Sequence, residues 1–222
     1  MSDGLVMEYL FHEQYRNTAN AFLKSISKFE HKYVKTDYHE GPIYWNWVEQ
    51  RQHVSNAIKQ GNIEMALHII RNHFPLLAMH ESISPSHPSF IPHLRSVLFQ
   101  LKCQHFIEII RCVTPSSFAE ALSYAQAHLR PASDEDRIYL DQVTPLIAYE
   151  DPYQSPSSHL LTQDARDQLA IYVNHVLMVL RNMPLTSGVE RILMQIDVVK
   201  DQLRMEATND MLSFSEEYEL SE

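Results

Sequence analysis

Between Leu5 and Ile26 the apolar positions fall three and four residues apart: Leu5, Val6, Tyr9 and Leu10, then Tyr15, Ala19, Phe22, Leu23 and Ile26. That spacing marks one face of an α-helix, and the polar step His12-Glu13-Gln14 between the two runs predicts a bend. The segment therefore reads as an amphipathic helical hairpin. Two short helices bury little apolar surface by themselves, so the hairpin is expected to pack on a copy of itself or on the rest of the chain.

Further along, residues 31–44 are polar, aromatic and aperiodic, with Gly41-Pro42, and read as a linker. A helix is expected from about Trp45 to Gln60. Gly61 suits the left-handed position that ends it, and Asn62 suits the cap of the next helix. That second helix carries Ile63, Ala66, Leu67 and Ile70 on one face and should stop near Pro75. Residues 81–92 hold Pro85, Pro88 and Pro92, so a surface loop is expected there. Helical periodicity returns over 93–101 and 104–112, then over 118–129. A helix over 133–148 opens with Asp134, Glu135 and Asp136, whose charges favour its positive end, and a kink is expected at Pro145. Residues 150–158 form a Pro/Ser loop. A long helix over 161–181 carries the stripe Leu169, Tyr172, Val173, Val176, Leu177 and Leu180, and Pro184 and Gly188 break it. The last helix spans about Val189 to Met205. Beyond Arg204 there is no basic residue, and the acidic tail 206–222 is expected to be disordered. No fixed period repeats, so successive helical hairpins fit better than a regular solenoid. The fold class is all-α.

Composition sharpens this by exclusion. Only 4 glycines occur in 222 residues, fewer than turn-dense β folds and glycine-built phosphate loops need. The formal charge is 18 − 28 = −10, with no Lys/Arg cluster, so neither nucleic acid nor an anionic membrane is an expected partner. The most apolar stretch, 171–180, is too short to span a bilayer and contains Asn174 and His175. The opening Met1-Ser2-Asp3-Gly4 lacks the basic and apolar regions of a signal peptide. Cys103 and Cys112 both lie in apolar helical stretches, so two buried thiols and a reducing compartment are expected. The chain reads as soluble, in the cytoplasm and nucleus.

The 13 histidines raise the question of metal. None forms an H-E-x-x-H pair, and there is no C-x-x-C; His87 and His93 are separated by two prolines, and Cys103 and His105 sit on different helix faces. No G-x-S-x-G elbow or dinucleotide fingerprint appears. No catalytic residue, cofactor site or metal site is expected. A histidine-dependent metalloenzyme is the rival reading from a different class. Trp45 and Trp47 serve either as a binding hot spot or as core anchors of their helix. Gln104, Glu108 and Arg111 share one helix face, where Glu108 and Arg111 can pair; the three form either a local network or a partner contact. Asp151-Pro152 and Ser155-Pro156 suit a rigid turn, since proline fixes φ while Asp and Ser bond the following amides.

Three ordered segments resemble one known arrangement. Leu5-Val6-x-x-Tyr9-Leu10 followed by Tyr15-x-x-Thr18-Ala19-x-x-Phe22 resembles the LisH dimerisation motif, with Gln14 where that pattern has glycine. Arg51, Ala57-Ile58-x-x-Gly61-x-Ile63-x-x-Ala66-Leu67, Pro75-Leu76-Leu77 and the string from Leu98 to Arg111, with Phe99, Leu101, Gln104, Phe106, Ile107 and Glu108, resemble the CTLH domain. Glu120-Ala121-Leu122-x-Tyr124-Ala125-Gln126 and Leu146-Ile147-Ala148-Tyr149-x-Asp151-Pro152-x-x-Ser155-Pro156 resemble the CRA region. The 82–92 segment lengthens the usual connection. Boundaries of 3–30 for LisH, 31–50 for a linker and the start of the next helix, 51–115 for CTLH and 116–205 for CRA follow. The chain is similar to subunits of the CTLH, or glucose-induced degradation, E3 ubiquitin ligase. With no RING and no SPRY portion, the resemblance implies a non-catalytic scaffold subunit linking RING subunits to substrate receptors. Its implied partners are other LisH–CTLH–CRA proteins, bearing RING or SPRY domains, with a homo- or hetero-dimer formed through LisH and CRA. The alternative is the Ran-binding protein M branch, in signalling, cytoskeletal or trafficking assemblies. On this resemblance Leu5, Tyr9, Leu10, Tyr15, Ala19 and Phe22 are the candidate interface residues.

Overall fold

The computed structural model describes residues 2–29, 41–83, 87, 91–112 and 115–219. Among these there are ten α-helices and no strand. In chain order they are α1 (Ser2–His12), α2 (Arg16–Phe29), α3 (Gly41–Lys59), α4 (Ile63–His73), α5 (Pro75–Ala78), α6 (Pro92–Arg111), α7 (Pro115–His128), α8 (Asp134–Val143), α9 (Gln163–Val179) and α10 (Gly188–Glu219). The fold is all-α, as the apolar spacing implies. None of the described helices is long and apolar enough to cross a membrane.

The chain divides into two compact units. One holds Met1–His39 together with Thr186–Glu222; the other holds Glu40–Leu185. The last helix thus belongs with the N-terminal hairpin, whereas a CRA region of 116–205 groups its first part with the residues before it. Three local features fix it there. Ser187 Oγ accepts from the Glu190 N–H at 3.2 Å while Glu190 Oε2 accepts from the Ser187 N–H at 2.7 Å, a reciprocal box that satisfies two helix-end donors. Glu8 Oε1 of α1 accepts from the Gly188 N–H at 3.1 Å. A Cβ at residue 188 would lie 2.6 Å from Glu8 Oε2 and 2.8 Å from Leu5 Cδ2, so any larger residue would have to push the ends of these two side chains aside.

In the larger unit α3 packs on α4 and α9, and α6 packs on α4, α7, α8 and α9. The main core gathers Phe99, Cys103, Phe106, Ile107 and Ile110 of α6 with Ala121, Leu129, Val143, Leu146, Leu160 and Leu161. Because α6 is buried on nearly all sides, it shows no clean stripe. That is why 93–101 and 104–112 read as two helices; with no breaker between Pro92 and Arg111, they form one.

Other boundaries shift for equally local reasons. The helix expected from Trp45 begins at Gly41, since proline near the first turn loses no helical hydrogen bond. Pro145 ends α8 rather than kinking it, and Thr144–Ala148 tightens into a 3-10 turn. The helix expected over 161–181 starts at Gln163, capped by Thr162, whose Oγ1 accepts from the Ala165 N–H at 3.3 Å. The last helix runs to Glu219, past the expected stop at Met205, so most of the stretch expected to be disordered is helical; no Gly or Pro interrupts it after Gly188. Cys112, expected to be buried, is exposed at the C-cap of α6, while Cys103 is buried. Burial and the nearby Asp136 charge push the Cys103 thiol up to about 12, leaving it inert at neutral pH. Most of the expected linker 31–44 and half of the loop 81–92 lie outside the described residues.

Candidate interaction surfaces

In the hairpin α1 ends in a Schellman motif. The Tyr15 N–H donates to Leu10 O at 2.8 Å, and Gln14 takes a left-handed φ of 63°. The bend expected at His12-Glu13-Gln14 is therefore present, made by glutamine in the position where the LisH pattern carries glycine. Of the candidate interface residues, Ala19 and Leu10 are buried, Leu5, Tyr9 and Phe22 are half-buried, and Tyr15 is 51% exposed. The hairpin's own core also includes Met7 and Phe11, both buried and neither singled out from sequence. Beyond the hairpin, every residue from Arg191 to Thr208 of α10 is exposed. Leu193, Met194, Val198, Val199, Leu203 and Met205 are large apolar side chains in that stretch, each more than half exposed.

The CTLH positions converge inside the larger unit. Gly61 holds a left-handed φ of 77° at the end of α3, with the Asn62 N–H donating to Ala57 O at 2.8 Å. Asn62 then caps α4 by accepting from the Met65 N–H at 3.1 Å. A Cβ at residue 61 would meet Arg166 Nη2 at 2.6 Å and Glu108 Oε2 at 2.9 Å, so this glycine also makes room for an ion pair.

Glu108 is the hub of that pair. Its Oε1 accepts from Gln104 Nε2 at 2.7 Å and from Arg166 Nε at 2.8 Å, and its Oε2 takes Arg111 Nε at 3.2 Å together with Arg166 Nη2. The hydrogen bond to Glu108 holds the Arg166 guanidinium above its ordinary pKa, against the opposing effect of burial. Gln163 extends the network, donating to Lys59 O at 2.9 Å and accepting from Arg166 Nη1 at 3.2 Å. Of the two readings of Gln104, Glu108 and Arg111, the local network is the one the geometry displays.

A second polar junction joins α3 to α9. Arg51 is fully buried, stacks at 4.5 Å on Trp47, and donates through Nε to Asn174 Oδ1 at 2.8 Å. Arg181 approaches the same Trp47 ring at 5.1 Å. Trp47 is thus buried as a core anchor. Ala66, Phe99, Leu101, Gln104, Phe106 and Ile107 are buried too, so most of the CTLH string builds the interior. At the CRA turn, Asp151 Oδ1 accepts from the Tyr153 N–H at 3.0 Å and Ser155 Oγ accepts from the Ser157 N–H at 3.2 Å. Pro152 and Ser155 are buried and Pro156 is exposed, the rigid turn that Asp-Pro and Ser-Pro chemistry implies. Arg166 and Asn174 pair with Glu108 and Arg51, 58 and 123 residues away, and burial alone sets Asp136 apart from its acidic neighbours, so no local pattern marks the three.

The CTLH/CRA C-terminal to LisH motif domain matches residues 48–204. The chain belongs to the CTLH/CRA family. A "Glucose-induced degradation protein 8 homolog" of Dictyostelium discoideum is 26% identical over 177 residues, 78% of this chain and 66% of that protein. A "Protein GID8 homolog" of Arabidopsis thaliana is 26% identical over 130 residues, 57% of this chain and 47% of that protein. The chain therefore spans just under two thirds of the first relative's length and about half of the second's. The matched family region runs from α3 into α10, and it takes in the Glu108 network, the Arg51 junction and the Asp151 turn.

Proposed function

We propose that this chain is a non-catalytic scaffold subunit of a multi-subunit E3 ubiquitin ligase, joining RING-bearing subunits to substrate-receptor subunits in the cytoplasm and nucleus. The observation that carries the reading is the bare apolar surface of α10. A helix with so many large apolar side chains in water lacks the burial that stabilises helices in proteins, and a surface of that kind marks an interaction site. Burying each such side chain contributes roughly 1.5–3 kcal/mol, so a few suffice to hold a subunit contact. The name of the Dictyostelium relative, which refers to glucose-induced degradation, supports the choice of assembly, as does the family match. The hairpin and α10 form the self- or partner-dimerising module. The buried Arg51 and Glu108 junctions keep the larger unit rigid enough to act as a spacer.

Affinity purification of the tagged full-length chain, followed by mass spectrometry, tests this. RING-bearing and SPRY-bearing LisH–CTLH–CRA proteins should co-purify. Recovery of neither would contradict the scaffold role. Recovery of cytoskeletal or trafficking proteins in their place would favour the Ran-binding protein M branch.

A further inference from the structure

A groove crosses the larger unit along α4, α6 and α7. Its wide part, about 700 Å³, is walled in part by Met65, Leu67 and Arg71 of α4. A narrower part of about 200 Å³ reaches Asp136 at the start of α8. Glu81, Lys102 and His128 line both parts, so the two adjoin. Along one wall the rings of His105, Tyr124 and His128 form a ladder, with centroids 4.7 and 4.6 Å apart.

Two independent features distinguish this groove from the rest of the surface. The first is charge. Arg71, Arg95, Lys102 and Arg130 line it against Glu64, Glu81 and Asp136, so its permanent charge is 4 − 3 = +1 in a chain of −10. A single carboxylate, Glu81, holds both Lys102 at 2.9 Å and Arg71 at 3.4 Å. The second is Asp136. Its side chain is almost completely buried; Oδ2 accepts from the Ala132 N–H at 3.1 Å, closing the cap of α8, while Oδ1 has no hydrogen-bond donor. A buried acceptor without a donor is costly, and Asp136 lines the narrow end of the groove, from which a ligand can supply one.

We propose that this groove docks an extended acidic segment of a partner protein. The segment's carboxylates meet Arg71, Lys102 and Arg130, and one of its main-chain N–H groups donates to Asp136 Oδ1. The groove needs no contribution from α10, so the proposal stands or falls separately from the scaffold reading.

The test is fluorescence anisotropy on the full-length protein, using a labelled peptide of Asp, Glu and Ser about twelve residues long, enough to cross the groove when extended. Saturable binding that weakens with added salt is expected. Arg71→Glu with Arg130→Glu, both at exposed positions, should weaken it at least tenfold with unchanged helix content, the melting temperature falling only by what the lost Arg71–Glu81 pair contributes. Asp136→Asn, which offers the groove a donor in place of an acceptor, should weaken it several-fold. The proposal is overturned by absent binding, by equal uptake of a Lys/Ser peptide of the same length, or by indifference to the double charge reversal. Displacement by inorganic phosphate at concentrations matching the peptide would mean a small-anion site and would overturn it too. So would self-association that the same charge reversal abolishes, without peptide binding, because a second copy would then be the occupant.

Discussion

At Glu108 two arginines and a glutamine converge on one carboxylate that is largely shielded from water. Such a centre is worth little as a count of ion pairs, but removing one member leaves the others buried and uncompensated. Arg166→Ala should therefore destabilise the protein by about 3 kcal/mol, against a fraction of that for an exposed pair such as Arg204–Asp201. Equilibrium denaturation of Arg166→Ala beside Arg204→Ala checks this; equal small losses would mean that the network is not a keystone. Part of the centre is legible in sequence: Gln104, Glu108 and Arg111 share a helix face by spacing alone. Arg166 is not, because it lies 58 residues from Glu108 and nothing near it signals the pairing. Asp136 shows the same limit. In sequence it is one of three acids in a first turn, and only the packing of α8 separates it, buried, from exposed Asp134 and Glu135.

The helices end in a shared way. Gln14, Gly61 and Asn182 hold the left-handed residue after α1, α3 and α9, each followed by an N–H that reaches back five residues to a carbonyl. Gly61 advertises this because glycine has no steric cost there; Gln14 and Asn182 do not, and their turns come to light in the fold. A glutamine at φ 63° carries roughly 1 kcal/mol of backbone strain that glycine lacks. Gln14→Gly should accordingly stabilise the hairpin by up to about 1 kcal/mol, part of the gain being offset by the greater freedom of glycine when unfolded. Thermal melting measures it, and a lower melting temperature would show that the Gln14 side chain contributes more than its backbone costs. Element type follows from apolar spacing almost everywhere, but spacing cannot place the boundary inside α6, whose faces are nearly all buried, or the stop of α10, whose residues from Arg191 to Thr208 are exposed whether polar or apolar.

The hairpin and the last helix lie at opposite ends of the sequence yet form one unit, and the larger unit occupies everything between. Order along the chain suggests three consecutive regions; the fold instead closes the first region with the end of the third through Glu8, Ser187, Gly188 and Glu190. That closure bears on how the interface should be probed. Leu10 is part of the hairpin's own core, so a charge there would disturb folding and association together. Val198 and Leu203 are 68% and 59% exposed and can be altered without touching a core. Under the proposed function, the protein works by association through this module. Light scattering on the full-length chain, alone and mixed with RING-bearing and SPRY-bearing family members, tests it most directly. The wild-type chain should run as a dimer or larger complex, and Val198→Asp with Leu203→Asp should reduce it to a monomer with unchanged helix content and melting temperature. An unchanged mass in the double variant, or a wild-type chain that stays monomeric alone and in every mixture, would contradict the account.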